Sequence, residues 1–171
     1  MRRFLLPVLL MFFFVIESTF VELLPAEIFN SERILVPRFL MIALFFLTIY
    51  GSVKHGIIYA LIFGGLFDIV YTEIIGIYLF LFPFMAYIVS RIMKVLHANI
   101  IIVTFVSLFG VALLELSVYG ANLLINRTNL DFSTFTFLRW LPTLVLNLAF
   151  TIIVAFPLKR QIEKFAEHLK D

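Results

Sequence analysis

Long runs without a charge, separated by short polar clusters, set the rhythm of this chain. The first run, residues 4–24, follows Met1-Arg2-Arg3 and stops at Pro25. The second and third, 36–53 and 56–71, are split only by Lys54-His55 and read as a tight helical hairpin with its turn at a membrane surface. The fourth, 74–90, carries Pro83 near its middle, where a missing backbone N–H predicts a kink. The fifth covers 100–121, and the sixth covers 137–158 and is closed by Pro157. About 20 apolar residues cross a bilayer core as a helix. The pattern therefore predicts an all-α integral membrane protein, a six-helix bundle that forms a single polytopic domain over residues 1–171. The second and third runs are short and are expected to stand nearly upright. Residues 159–171 place Ile162, Phe165, Ala166 and Leu169 at helical spacing, with Arg160, Glu163, Lys164 and Glu167 around the rest of the turn. This is an amphipathic tail that continues span six onto the inner membrane surface or a partner, or else a frayed, solvated end.

Composition agrees: 63% of the 171 residues are hydrophobic and 14% charged, against about 25% charged in soluble domains. Charge also sets an orientation. Arg2, Arg3, Lys54, Arg91, Lys94, Lys159, Arg160, Lys164 and Lys170 fall on one side of the spans, and Arg33, Arg38, Arg127 and Arg139 on the other. The positive-inside rule then puts both termini in the cytoplasm, and an even number of spans independently requires them to share a side. Glu17-Ser18-Thr19 is not a small-residue cleavage site, so the first run is expected to stay as a span rather than leave as a signal peptide. No basic cluster of the kind that grips nucleic acid is present.

Ionisable groups inside spans are costly and so become functional candidates. They are Glu17 and Glu22 in span one, Asp68 in span three and Glu115 in span five. All four fall in the outer half under the orientation above, with Glu22 simply interfacial. Arg38 and Arg139, at the outer ends of spans two and six, are placed to fork onto these carboxylates. The preferred reading of Glu17, Asp68, Glu115, Arg38 and Arg139 is an intramembrane polar network of structural ion pairs. Span three adds a second pattern, in which Gly56, Ala60, Gly64 and Asp68 recur every four residues and Gly65 widens the stripe. Such small-xxx-small surfaces let helices approach closely, and Asp68 is expected to receive donors from a neighbouring helix.

Enzyme chemistry fails on inventory. The chain has no cysteine, its three histidines are dispersed in short polar segments, and only one aspartate lies within a span. A membrane aspartyl protease needs two, a serine hydrolase needs a base beside its nucleophile, and a metal site needs clustered ligands. Neither a catalytic residue nor a metal or other cofactor is expected.

The stretch Phe63-Gly64-Gly65-Leu66-Phe67-Asp68, followed by Gly76-Ile77-Tyr78, resembles the G-x-x-x-D then G-x-Y region of the bacterial rod shape-determining MreD family. Met1-Arg2-Arg3-Phe4-Leu5-Leu6-Pro7, Leu35-Val36-Pro37-Arg38-Phe39-Leu40, Lys94-Val95-Leu96-His97 and Leu141-Pro142-Thr143 are similar to the same family, in its Gram-positive form. The resemblance implies a non-catalytic membrane subunit of the elongation machinery. Its partners would be MreC first, then MreB filaments, RodA and a class B penicillin-binding protein, with a homodimer also open. On that reading Gly56, Ala60, Gly64, Gly65, Asp68 and Gly76 are candidates for helix packing or for a partner interface. The family also resembles the six-helix substrate-binding subunits of energy-coupling-factor transporters. The alternative is therefore a small-molecule site among Glu17, Asp68 and Glu115, although span one lacks the alanine surface by which such subunits dock.

Overall fold

The computed structural model describes residues 5–23 and 33–167, and among these there are helices and connecting turns but no strand. The helices are α1 (Leu5–Leu23), α2 (Phe39–Gly51), α3 (Val53–Tyr71), α4 (Ile77–Met93), α5 (Ile100–Leu124) and α6 (Phe132–Glu167). By length and apolar composition α1, α3, α5 and α6 are able to cross a membrane, while α2 and α4 are shorter apolar helices. The surface carries Phe80, Phe105, Ile153 and Phe156, each more than 60% exposed, whereas Glu17, Arg38, Asp68, Glu115 and Asn147 are buried. An apolar exterior around a polar interior is what lipid as solvent demands.

The second run departs most from expectation. Residues 33–38 are not helical, and α2 begins only at Phe39. Val36 precedes a proline, which disfavours helical backbone there, and the ring of Pro37 offers no N–H. From Phe39 to Leu47 every side chain is at most 4% exposed, so this helix runs through the interior. Thirteen residues rise about 20 Å, short of a bilayer core of about 30 Å. The last turn of α2, Leu47–Gly51, widens to π geometry and ends where Ser52 N–H bonds the Leu47 carbonyl at 3.1 Å. The break between the second and third runs thus lies at Ser52, and Lys54-His55 sits in the first turn of α3 rather than forming the turn.

Pro83 lies inside α4, as its place in the fourth run predicts, whereas Pro157 lies inside α6 without closing it. A proline removes one helical hydrogen bond, but Ala155, Leu158 and Ile162 are all buried on either side of Pro157, and that packing holds the helix through it. The sixth run also starts early, at Phe132, where Asp131 caps the first turn by accepting from the Ser133 N–H. The tail continues span six as far as Glu167, and its apolar face turns inward. Ile162 is 1% exposed and packs beside Gly51, while the Lys159 ammonium sits 5.0 Å above the Tyr50 ring. Arg2, Arg3, Leu169 and Lys170 lie outside the described residues.

Candidate functional site

The polar groups gather where α1, the extended segment, α4, α5 and α6 meet. Arg38 is 1% exposed; its Nε donates to Glu115 Oε1 at 2.6 Å, and its Nη2 stands 2.6 Å from the same oxygen in the ion pair. Arg139 Nε takes the other oxygen, Oε2, at 3.0 Å, so one α5 carboxylate is shared by two arginines. Arg38 Nη2 also donates to the Tyr78 hydroxyl at 3.0 Å, and its guanidinium lies 5.1 Å from the Tyr78 ring centroid and 5.6 Å from that of Phe67. Rings at that range attract a cation further when water is excluded. The network thus ties α3, α4, α5 and α6 to the start of α2.

Glu17 plays a different part. Its Oε2 accepts the N–H of Leu40 at 3.1 Å, in the first turn of α2, where backbone donors have no helical partner. Arg38 itself caps that helix without a side-chain bond, so the carboxylate comes from α1 instead. Asp68 does the same for α4. Its carboxylate accepts from the N–H groups of Gly76 (2.8 Å), Tyr78 (3.0 Å) and Leu79 (2.9 Å), and Thr72 Oγ1 lies 3.4 Å away. Gly76 has φ +126°, a backbone angle that side-chain-bearing residues rarely adopt, and it turns the chain back toward Asp68. Asp68 therefore serves a helix N-terminus, and no arginine pairs with it among the described residues.

The small residues of α3 are engaged within the chain. A Cβ on Gly64 would overlap the Tyr78 carbonyl and stand 3.1 Å from Leu79 Cα, and one on Gly56 would overlap Thr48. Ala60 is fully buried. Gly65 is looser, meeting only a Leu79 methyl at 3.2 Å. The stripe is where α2 and α4 press on α3.

Three residues that sequence reasoning overlooked complete the site. Thr143, Asn147 and Thr151 recur every four residues on α6 and are all fully buried. Asn147 Oδ1 accepts the Arg38 N–H at 2.8 Å and its Nδ2 donates to the Val36 carbonyl at 3.0 Å, while Thr143 Oγ1 accepts the Val36 N–H at 3.2 Å. Side chains of α6 thus take the place of the helical bonds that residues 36–38 lack, as irregular backbone at membrane depth requires. A periodic polar row in an otherwise apolar run was the available signal. Chemically the arrangement fixes helices in place. Among the described residues no cluster of three or more histidine, aspartate or glutamate side chains could hold a metal.

Comparison with known proteins adds an independent line. A family profile described as rod shape-determining protein MreD matches residues 2–165. The rod shape-determining protein MreD of Bacillus subtilis (strain 168) is 37% identical over 171 residues, which covers all of this chain and 99% of that protein. No solved structure matches significantly.

Proposed function

This chain belongs to the MreD family of rod shape-determining proteins, multi-pass proteins of the membrane, and we propose that it acts as a non-catalytic scaffold subunit of the elongation machinery. On this reading α1 to α6 are six spans and both termini are cytoplasmic. MreC is the primary partner, and RodA, a class B penicillin-binding protein and MreB belong to the same assembly. Peptidoglycan synthesis would be coupled to cell shape by holding those partners side by side in the bilayer.

The observation that carries the reading is how the polar interior is used. Glu115 is shared by two arginines, while Glu17 and Asp68 cap helices. The carboxylates are committed to fixing a rigid body, which suits a scaffold and leaves the transporter-type reading without its candidate ligand groups. The Gly56, Ala60, Gly64 and Asp68 stripe is proposed as an internal seam, and the partner surface is assigned to the apolar outer faces. In lipid, helices associate through packing and hydrogen bonds rather than through exclusion from water, so such a face recognises a partner by shape.

The absence of native cysteines makes the test direct. Single cysteines at Phe12 on α1, Phe84 on α4, Phe109 on α5 and Ile152 on α6 sample four exposed faces. They are cross-linked in membranes to MreC carrying cysteines along its anchor. One face should react strongly, and a cysteine at Ala60 should not. Failure of every exposed face to capture MreC, with the chain folded and inserted, would sink the proposal. Reporter fusions at each terminus test the orientation, and a periplasmic signal from either would overturn it.

A further inference from the structure

Outside the polar core, one feature the function does not use is a groove of about 790 Å³ between the extended segment and the first half of α6, lined by Arg33, Leu35, Phe137, Leu141, Pro142, Val145 and Leu146. Its walls come from distant parts of the chain but are fastened together. The Ile34 N–H bonds the Leu138 carbonyl at 2.7 Å, and one step further the Val36 N–H bonds Thr143. The groove is therefore formed in advance by backbone that cannot easily part.

Its chemistry is that of an amphiphile's complement. Six of the seven lining residues are apolar, and the seventh, Arg33, is exposed and makes no ion pair among the described residues. Trp140, whose indole N–H donates to the Ala112 carbonyl at 3.2 Å, lies on the same stretch of α6, and tryptophan marks the level of lipid headgroups. Arg33 thus stands near the water surface with the apolar channel running below it. From Phe137 to Leu146 the helix descends at most about 14 Å at 1.5 Å per residue, no more than half of a hydrocarbon core of about 30 Å. That lies within the depth of one leaflet. A partner's transmembrane helix would need a furrow twice as long, whereas one acyl chain needs this much.

We propose that this groove binds one anionic phospholipid, with an acyl chain against Leu141, Val145 and Leu146 and the phosphate on Arg33. The inference depends only on the chain being embedded in a bilayer, so it stands or falls separately from the choice of protein partner.

The test uses the purified full chain in nanodiscs of equal phosphatidylglycerol and phosphatidylcholine with identical acyl chains. The chain is transferred to mild detergent and examined by native mass spectrometry. The unaltered protein should retain one lipid and favour phosphatidylglycerol about fivefold, the equivalent of about 1 kcal/mol for one basic residue at a lipid surface. Arg33→Ala should retain both lipids alike. Val145→Trp fills the groove from a position that is 68% exposed and should lower retention of both. Leu141→Phe replaces it if the tryptophan variant lowers Tm. Equal retention of the two lipids by the unaltered chain, an Arg33→Ala variant that keeps the preference, or a filled groove that holds lipid as before would each overturn the proposal. So would displacement of the lipid by glycerol phosphate, which lacks the tails.

Discussion

Replacing Glu115 by glutamine tests whether the polar core is what holds this bundle together. The change keeps shape and removes one charge at a site where the side chain is fully buried and faces Arg38 and Arg139. Arg139 is 30% exposed and can turn toward headgroups, but Arg38 is 1% exposed and has no such escape. Its bonds to Tyr78 and the two rings remain, and none of them carries a negative charge. Leaving one charge of a buried pair uncompensated costs about 3–5 kcal/mol. For a chain of this size each kcal/mol shifts Tm by about 2–4 °C, so Glu115→Gln should lower the unfolding midpoint by about 6–20 °C. Thermal unfolding of the purified chain in detergent, followed by far-ultraviolet dichroism, measures it. The double variant Arg38→Met with Glu115→Leu supplies the control, since it removes both charges and keeps apolar volume; it should be more stable than Glu115→Gln alone. A single variant within about 1 °C of the parent, or a double variant that falls further than the single, would refute the argument that an unpaired charge is the source of the loss.

Other parts of the site make separate predictions. Asn147→Leu leaves the Arg38 N–H and the Val36 carbonyl without their side-chain partner; at about 1–3 kcal/mol for each unsatisfied buried group, Tm should drop and amide exchange at Arg38 should quicken. Asp68→Ala strips three backbone donors of their acceptor and should cost at least the ~1–2 kcal/mol of a lost helix cap, read as fraying of α4 by hydrogen exchange. Gly64→Ala and Gly65→Ala form a matched pair. The first meets backbone of Tyr78 and Leu79 and should destabilise by about 1–3 kcal/mol, while the second meets only a movable Leu79 methyl and should be close to neutral, with Tm again the measure.

The sequence is most readable where one periodicity carries one message. Uncharged runs mark the helices, and the four-residue stripe of α3 points to a seam with a carboxylate awaiting donors; the donors are the first amides of α4. The second run misleads because apolarity reports burial and not conformation. Val36 and Pro37 are as apolar as the helix that follows, and only the rule for residues before proline hints that they are extended. Arg38 does stand at an end of α2 and pair with a carboxylate, as its place in the sequence predicts, but the helix end it marks is buried, because the residues before it are extended and not helical. Thr143 and Asn147 carry no charge and so do not stand out along the chain. Uncharged polar residues are inexpensive enough in a membrane helix to look incidental, and their role depends on a backbone segment more than 100 residues away.

Two short helices and two buried carboxylates give the fold an internal logic. A helix that starts inside a hydrophobic layer presents its first N–H groups to a medium that cannot bond them. In water the chain would cap such an end with its own Ser, Thr or Asp, but Arg38 and Gly76, which precede α2 and α4, provide no side-chain cap. Each cap comes instead from the long helix before it, Glu17 of α1 for α2 and Asp68 of α3 for α4. A carboxylate suits the task because the positive end of the helix dipole stabilises negative charge. Each short helix is thereby tied to its long neighbour, α2 to α1 and α4 to α3. Arg38 joins the first pair to the second through Tyr78 and to α5 through Glu115. The acidic groups that look like a ligand site in the sequence are therefore the means by which helices too short to reach both membrane faces are built into a rigid body, and rigidity is what a lateral scaffold has to offer its partners.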